Sequence, residues 1–463
     1  MRRTRWVLLA SVWTFLLAGQ IAPGEAQETP AAVRVDLPTA LVLALRDNPD
    51  LRAKRHALGL AEGRVQQSEL LFQENPRLSL EADYRNRRFR TPTGRSTADA
   101  AVSVLQEIEI AGQAAHRRQA AASHLSYTEW VIADAERLLQ LEVMRAFYEL
   151  LAIQESIQAR RDGLETRKAL LQAGRERYAQ EDISVLDLNA LRLDTDEARA
   201  RLLASQQEVV LAVKQLGLLL GLGVEQPLVA LGDLFAASRL DALPDPLPSQ
   251  AELIACALEQ RPDYQAARRK VDTREAELRL ARANRLPNIA LGPMYKLDNE
   301  DQVVGGALTI PLPLFNRRTH EITAATAQVE MARQELASRT LSVRHEVAAA
   351  YAGLRLARQQ RAVYGTDYFD ALAQTGELSR RAYEAGELSL VELSAALERL
   401  GQSRSWALAT ATAALQARAT LAARLAFDCL NTSQPGSGAS DTQPEKRKPT
   451  ANGTPGQEHL PVR

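Results

Sequence analysis

The chain contains little cysteine, few aromatic residues and no long apolar segment beyond its first residues. Of its 463 residues, 5% are aromatic and two are cysteines, Cys256 and Cys429. Two cysteines in so long a chain do not form a disulfide framework, and we expect two buried thiols, with a single bridge as the alternative. After residue 26 no run of about 18 apolar residues occurs, so no transmembrane helix is expected.

The chain also lacks an excess of charge of either sign. Lys and Arg together number 57, and so do Asp and Glu. Such a balance creates no overall attraction for nucleic acid or for acidic ligands, so we expect no nucleic-acid partner.

Motifs for catalysis and metal binding are absent from the sequence. The six histidines show no HxxxH or HExxH spacing, and no CxxC occurs. The segment "GLLLGLG" at 217–223 follows a predicted helix and lacks the GK[ST] of a phosphate-binding loop, so it indicates a helix end. No G-x-S-x-G or other nucleophile motif is present. We therefore expect no catalytic residue, no metal site, no cofactor and no enzymatic activity.

The two ends of the chain differ in composition from the rest. Residues 1–26 combine a basic start, "MRRTRW", an apolar stretch, and small residues at Gly24 and Ala26, which is typical of a secretory signal peptide. The alternative is a retained N-terminal anchor. Gln20 stands where a lipoprotein would need cysteine, so no N-terminal lipid is expected. Residues 430–463 are rich in Pro, Gly, Ser and Thr and are predicted to be disordered.

An internal repeat organises the rest of the chain. "ALRDNPDLRAKR" from Ala44 resembles "ALEQRPDYQAAR" from Ala257, and "RYAQEDISVLDL" from Arg177 resembles "AYEAGELSLVEL" from Ala382. Repeats of this kind fix the architecture. They predict a first structural repeat over 27–222, a Gly- and Pro-rich linker over 223–246 and a second repeat over 247–429.

Each half is predicted to contain three helices and two strands. The helices are expected at 39–73, 113–180 and 184–220, and at 249–284, 317–384 and 389–427. A helix of 68 residues would be about 100 Å long at about 1.5 Å per residue. Because no compact domain of this size has so deep a core, these helices must pack side by side, as in a coiled coil or a helical barrel.

The strands show period-two alternation of apolar and polar residues. They are expected at about 76–86, 100–111, 287–298 and 303–314, and each has the length of a tilted strand that crosses a bilayer. Such alternation fits a half-buried sheet as well as a water-filled barrel. If these strands cross a membrane, four of them cannot close a barrel, so several chains must pool them: two copies give eight strands and three give twelve. Charged inward residues favour the open lumen of three copies: Glu81, Asp83, Arg85, Glu107 and Glu109.

Proline and asparagine mark the ends of the strands. Pro76 and Pro287 are expected to end the preceding helices. Pro311 and Pro313 in "TIPLPLFN" lie where the fourth strand is predicted to end, at a rim, because proline donates no ladder hydrogen bond. Asn316 is the expected N-cap of the next helix.

These features resemble the outer membrane efflux protein family, the TolC-like outer membrane factors. The likeness covers about residues 37–428 and rests on the tandem halves, the "NP.L" and "RPD" phrases, both helix–turn–helix phrases and "PLPLFNR". It implies a mainly helical, duplicated protomer in a homotrimer, with a 12-stranded transmembrane β-barrel in outer membrane lipid and an α-helical barrel in the periplasm. A belt formed by the linker and the C-terminal region would surround the helices. It also implies two partners, a periplasmic adaptor and an inner-membrane pump of the resistance-nodulation-division type.

Within this family the chain is most similar to the outer components of heavy-metal efflux systems of the cobalt–zinc–cadmium type. "QEIEIAGQ" from Gln106 and "IPLPLFNRR" from Ile310 carry that likeness. Those factors often read E-L-G-G-K where this chain reads "EIAGQ", so Ala111 and Gln113 depart from the pattern. Multidrug export and type I polypeptide secretion remain alternatives. A periplasmic coiled-coil adaptor or scaffold is an alternative of a different class.

The candidate gate lies at the two repeated turns. The resemblance implies a periplasmic gate with a turn tyrosine at Tyr383 and a pore-lining carboxylate at Glu392, with Tyr178 and Asp187 as their first-half equivalents. The other interpretation is that these are packing tyrosines and solvated helix carboxylates. Gly386 suits a turn that needs a positive φ. The first half has Glu181 there, so its turn is expected to be made differently or its helix to run on, which favours the second-half hairpin and Glu392 as the moving gate.

Overall fold

The computed structural model describes residues 32–85, 97–239, 247–298, 301–427 and 429. The predicted signal peptide and C-terminal tail lie outside these residues. The first half contains β1 (Val33–Val35), α1 (Leu37–Asp47), α2 (Pro49–Glu69), β2 (Arg77–Arg85), β3 (Thr97–Ile108), α3 (Gln113–Ala179) and α4 (Val185–Leu219). The linker contributes β4 (Leu228–Ala230) and α5 (Leu234–Ala237). The second half contains α6 (Gln250–Gln260), α7 (Pro262–Ala283), β5 (Ile289–Asp298), β6 (Asp301–Thr309), α8 (Thr319–Ala362), α9 (Thr366–Glu384) and α10 (Leu390–Arg424).

The first helix of each half is broken in two, contrary to the single helices predicted at 39–73 and 249–284. The breaks fall at Asn48 and Arg261, each followed by proline. A residue before proline avoids the α region, and the ψ angles of these two residues are 122° and 124°. Asn48 then caps α2 by accepting a hydrogen bond from the amide of Leu51 at 2.9 Å.

The long helix of the first half is continuous, whereas its counterpart is not. Helix α3 has 67 residues, close to the predicted 113–180. The helix predicted at 317–384 is divided between α8 and α9 by residues 363–365. The linker supplies the reason, because Phe235 of α5 packs edge-on against Phe369 with ring centroids 4.7 Å apart. Arg361 also donates to the Ser238 hydroxyl at 2.7 Å, which ties the end of α8 to the linker.

The four predicted strands form one antiparallel sheet in the order β2-β3-β5-β6. Directly paired residues point to the same face, and one apolar row crosses all four strands: Leu80, Val102, Tyr295 and Val304. Charged residues such as Glu81 and Lys296 occupy the opposite face. Among the described residues, β2 and β6 have no further strand on their outer sides. No described helix combines the length and the apolar character that a membrane span requires.

The connection from the sheet to α8 differs from the prediction. Strand β6 ends at Thr309, so Pro311 and Pro313 follow the strand instead of ending it. The N-cap of α8 is Arg318, at a φ of 53°, and not Asn316. Asn316 supports that turn by accepting a hydrogen bond from the Arg318 amide at 3.0 Å. Gly112, at a φ of 72°, occupies the same position before α3.

The largest core lies where β1, β4, α1 and α6 pack around the middle of α3, the C-terminal half of α8 and the C-terminal parts of α4 and α10. Here Cys256 and Cys429 form a disulfide, so the expectation of two buried thiols is wrong. After α10 the chain turns back through Ala426 and Phe427, both at a φ of 63°. This reversal brings the two cysteine Cα atoms to 6.0 Å.

Candidate functional site

The two helical tips, at the α3–α4 and α9–α10 turns, have the same backbone geometry. The amide of Asp182 donates to the Arg177 carbonyl at 2.8 Å, and the amide of Glu387 donates to the Ala382 carbonyl at 2.8 Å. Both belong to the Schellman pattern that closes helix C-termini. The left-handed residue is Glu181 in one tip and Gly386 in the other, with φ of 61° and 78°. The expectation that the first turn is made differently or that its helix runs on is therefore wrong, and the two turns do not distinguish one hairpin as the gate.

The predicted pore carboxylates close reciprocal capping boxes at the starts of α4 and α10. Ser184 Oγ donates to Asp187 Oδ2 at 2.7 Å and accepts from the Asp187 amide at 3.1 Å. Ser389 and Glu392 make the same pair of bonds, at 2.7 and 3.3 Å. The Ser389 hydroxyl, followed by its backbone amide, lowers the pKa of the Glu392 carboxyl. Sequence reasoning missed this role, although the signal S-x-x-[DE] before an apolar run was present.

The two predicted gate tyrosines lie in different environments. Tyr383 is buried against Leu191 of α4 and Leu390 and Leu393 of α10. Its ring therefore joins the second-half tip to the first half. Tyr178, its counterpart in the repeat, is exposed in the single chain.

Between the tips and the largest core, ion pairs connect the two halves around a groove of about 480 Å³ that α3, α4, α9 and α10 line. Arg201 of α4 contacts Glu398 of α10 at 2.8 Å. Arg167 of α3 lies 3.6 Å from the same carboxylate and 3.1 Å from Asp194. Glu398 therefore receives two guanidinium groups from the other half at the seam within the chain, where α3 and α4 of the first half meet α10 of the second.

A second ionic cluster is buried at the break between α6 and α7. Arg261 is fully buried and contacts Asp263 at 2.6 Å and Glu346 at 2.7 Å. Burial by itself raises the pKa of Asp263, but the hydrogen bonds and charge of Arg261, with the charges of Arg137 and Arg339, outweigh it. The pKa of Asp263 is therefore below its ordinary value, and its carboxylate is charged at neutral pH.

This cluster holds the end of the last helix. Arg261 Nη1 donates to the carbonyl of Arg424, the last residue of α10, at 3.5 Å. In the first half Asn48 Nδ2 donates to the Leu219 carbonyl, at the end of α4, at 3.0 Å. The residue before Pro49 in the first half and before Pro262 in the second half thus satisfies a carbonyl that the helix end leaves free.

The segment "EIAGQ" at 109–113 connects strand β3 to helix α3. Gln113, which departs from the heavy-metal pattern, is buried and its Oε1 accepts from the Ala111 amide at 2.7 Å. Its Nε2 donates across the seam between the halves to the Leu286 carbonyl at 3.1 Å and to Asn288 Oδ1 at 3.2 Å. Gln113 therefore links the two halves at this point, although it departs from the heavy-metal pattern. In the part of the chain that the structure describes, no three His, Cys, Asp or Glu side chains are placed to bind a metal ion.

Comparisons with known proteins match both halves. The model of the family described as "Outer membrane efflux protein" matches residues 40–222 and 253–426. The cobalt-zinc-cadmium resistance protein CzcC of Cupriavidus metallidurans is 27% identical over 318 residues, which cover 68% of this chain and 71% of that protein.

Solved structures share the fold at low sequence identity. A membrane protein from Pseudomonas aeruginosa superposes with a TM-score of 0.69 at 20% identity, covering 84% of this chain and 92% of that one. CusC superposes with a TM-score of 0.65 at 19% identity, covering 84% and 91%. The CmeC outer membrane channel of Campylobacter jejuni gives 0.67 at 15% identity, covering 84% and 85%. At these identities the likeness establishes the fold.

Proposed function

Because the chain belongs to the outer membrane efflux protein family, we propose that it is the exit channel of a three-component system that exports heavy-metal cations. It is a channel of the outer membrane, not an enzyme, and its long helices extend into the periplasm. The observation that carries the choice of cargo is the similarity over 318 residues to a cobalt-zinc-cadmium resistance protein. The remaining components are a periplasmic adaptor and an inner-membrane pump of the resistance-nodulation-division type.

The working channel is a homotrimer. The apolar face of the sheet leaves Leu80, Val304 and Leu308 exposed in the single chain, as a surface in contact with outer membrane lipid requires. An open sheet edge in lipid leaves backbone groups unpaired, at a cost of several kcal/mol each. Pairing β6 of one copy with β2 of the next removes these edges. Three copies give twelve strands, enough to enclose an open lumen.

Charges on the inner surface support a cation pathway. Glu81, Asp83 and Glu107 lie on the polar face of the sheet, where Arg77 and Lys296 offset part of their charge. At the tips, three copies would gather three Glu392 and three Asp187 carboxylates. Like charges 4 Å apart repel by about 1 kcal/mol in water and about 4 kcal/mol at an effective dielectric constant of 20. Such rings attract cations and disfavour anions.

Growth of a deletion strain tests the cargo. The strain is grown across zinc, cobalt, cadmium and copper salts and across a drug panel, with the wild-type chain restored as the control. Sensitivity to the metals alone, reversed by the wild-type chain, supports the proposal. Sensitivity confined to the drugs would assign the channel to multidrug export instead.

A further inference from the structure

Helices α4 and α10 can be compared residue by residue. Each has 35 residues and begins after a serine N-cap, Ser184 or Ser389, that closes a capping box. They end at Leu219 and Arg424, so every residue of α4 has a counterpart 205 positions later in α10. Differences in burial between counterparts therefore show where one helix has a neighbour that the other lacks.

One face of α4 lacks such a neighbour. Helix α10 packs against α8 of its own half and α3 of the other half, whereas α4 packs mainly against α3. Three apolar residues of α10 are 6%, 1% and 0% exposed: Leu408, Leu415 and Ala423. Their counterparts in α4 are also apolar but 54%, 55% and 71% exposed: Leu203, Val210 and Leu218. The repeat indicates what covers this face, namely the second half of another copy.

The seam within the chain identifies one pair of residues in the seam between copies. Within the chain, Arg201 of α4 meets Glu398 of α10. The counterpart of Arg201 is Trp406, and the counterpart of Glu398 is Leu193. These two side chains are 62% and 65% exposed in the single chain. An ion pair at one seam thus corresponds to two large apolar side chains at the other.

We propose that Trp406 of one copy packs against Leu193 of the partner subunit, and that this contact closes the helical barrel between copies. The inference rests on the proposed trimeric channel. Around the ring, ionic seams within chains then alternate with apolar seams between chains. The ionic seams are screened by salt, whereas an apolar contact is not. A tryptophan that contacts an aliphatic side chain buries a large apolar area, which suits a joint between subunits.

Cross-linking tests the contact. Trp406→Cys and Leu193→Cys are combined in the full chain, and outer membranes are treated with a flexible bismaleimide, because a direct disulfide would need Cα atoms about 4–7 Å apart. The matched pair is Arg201→Cys with Glu398→Cys, which spans the seam within one chain. The first pair should yield covalent dimers and trimers. The matched pair and each single variant should stay at the mass of one chain.

Amine cross-linking of the same membranes separates the two proposals. If it shows trimers while the Trp406–Leu193 pair gives no thiol-linked dimer, the contact is wrong and the channel proposal stands. If it shows single chains only, the trimeric channel itself is contradicted.

A double-mutant cycle that introduces an ion pair between copies adds a readout that misfolding cannot mimic. Trp406→Arg alone and Leu193→Glu alone should each lower the temperature at which the trimer dissociates in detergent. The double variant recreates the Arg201–Glu398 pair between copies and should recover most of that loss. Additive losses in the double variant would overturn the assignment.

Discussion

The guanidinium group of Arg177 lies over the ring of Tyr383, with its carbon 5.6 Å from the ring centroid. This contact joins the tip of the first half to the tip of the second. It places the buried tyrosine, and not its exposed counterpart Tyr178, at the joint that has to yield if the tips separate.

Removing the ring of Tyr383 should loosen the packing between the two tips. Tyr383→Ala deletes a buried aromatic side chain, which costs about 3 kcal/mol or more in a packed core, and it also removes the cation–π contact. We expect a higher ion conductance in planar bilayers than for the wild-type chain. Tyr383→Phe retains the ring and is the matched control, with conductance close to wild type. Equal conductance of the alanine variant and the wild type would exclude Tyr383 from the gate.

The charge of Glu392 can be removed without removing its cap. Gln also closes a capping box, so Glu392→Gln keeps the bonds to Ser389 while it deletes the charge. Combined with Asp187→Asn, it should lower the ratio of cation to anion permeability, measured from reversal potentials in a salt gradient. An unchanged ratio in the double variant would show that these carboxylates only cap their helices.

Glycine should be the better residue at the first tip. Glu181 has a φ of 61°, a conformation that costs a residue with a Cβ about 1 kcal/mol. Glu181→Gly should therefore slow hydrogen exchange of the amides in this turn, and Gly386→Ala should accelerate exchange in the second turn. Exchange rates that do not change in either turn would contradict the strain argument.

Asp263 should make the chain sensitive to acid. Its folded-state pKa lies below the ordinary 3.8, so its stabilising effect is present above pH 3.8 and is lost as the pH falls through the folded-state value. Asp263→Asn leaves the buried Arg261 with less compensation and should lower the thermal midpoint at pH 7, with the difference from wild type shrinking below pH 3.8. Asp50→Asn, at the exposed counterpart in the first half, is the control and should change little. A difference that is constant with pH would contradict the charged state of Asp263.

Much of the fold was accessible from the sequence because it depends on local patterns. Alternating residues predicted the four strands, and the repeat predicted that α3 and α4 have counterparts. Asp187 and Glu392 were interpreted as pore-lining or solvated helix carboxylates, whereas the structure shows them closing capping boxes with Ser184 and Ser389. The S-x-x-[DE] signal occurs in the sequence at both tips and predicts this capping role.

The remaining features depend on contacts between distant segments. Only a single glycine, Gly365, marks the break between α8 and α9, and Phe235 of the linker packs against α9 from outside the helix. The pairing of Cys256 with Cys429 requires the chain to reverse through Ala426 and Phe427, neither of which is a usual left-handed residue. At Glu181 a local preference for glycine gave the wrong answer, because the Schellman bonds hold the turn regardless of the side chain.

The central claim is that three copies of this chain form a water-filled exit channel in the outer membrane. The most direct test is the single-channel conductance of the detergent-extracted complex in planar bilayers, measured before and after heating dissociates it into single chains. The account predicts stepwise, cation-selective conductance from the unheated complex and none from the separated chains. An intact complex without conductance, or conductance from single chains, would contradict it.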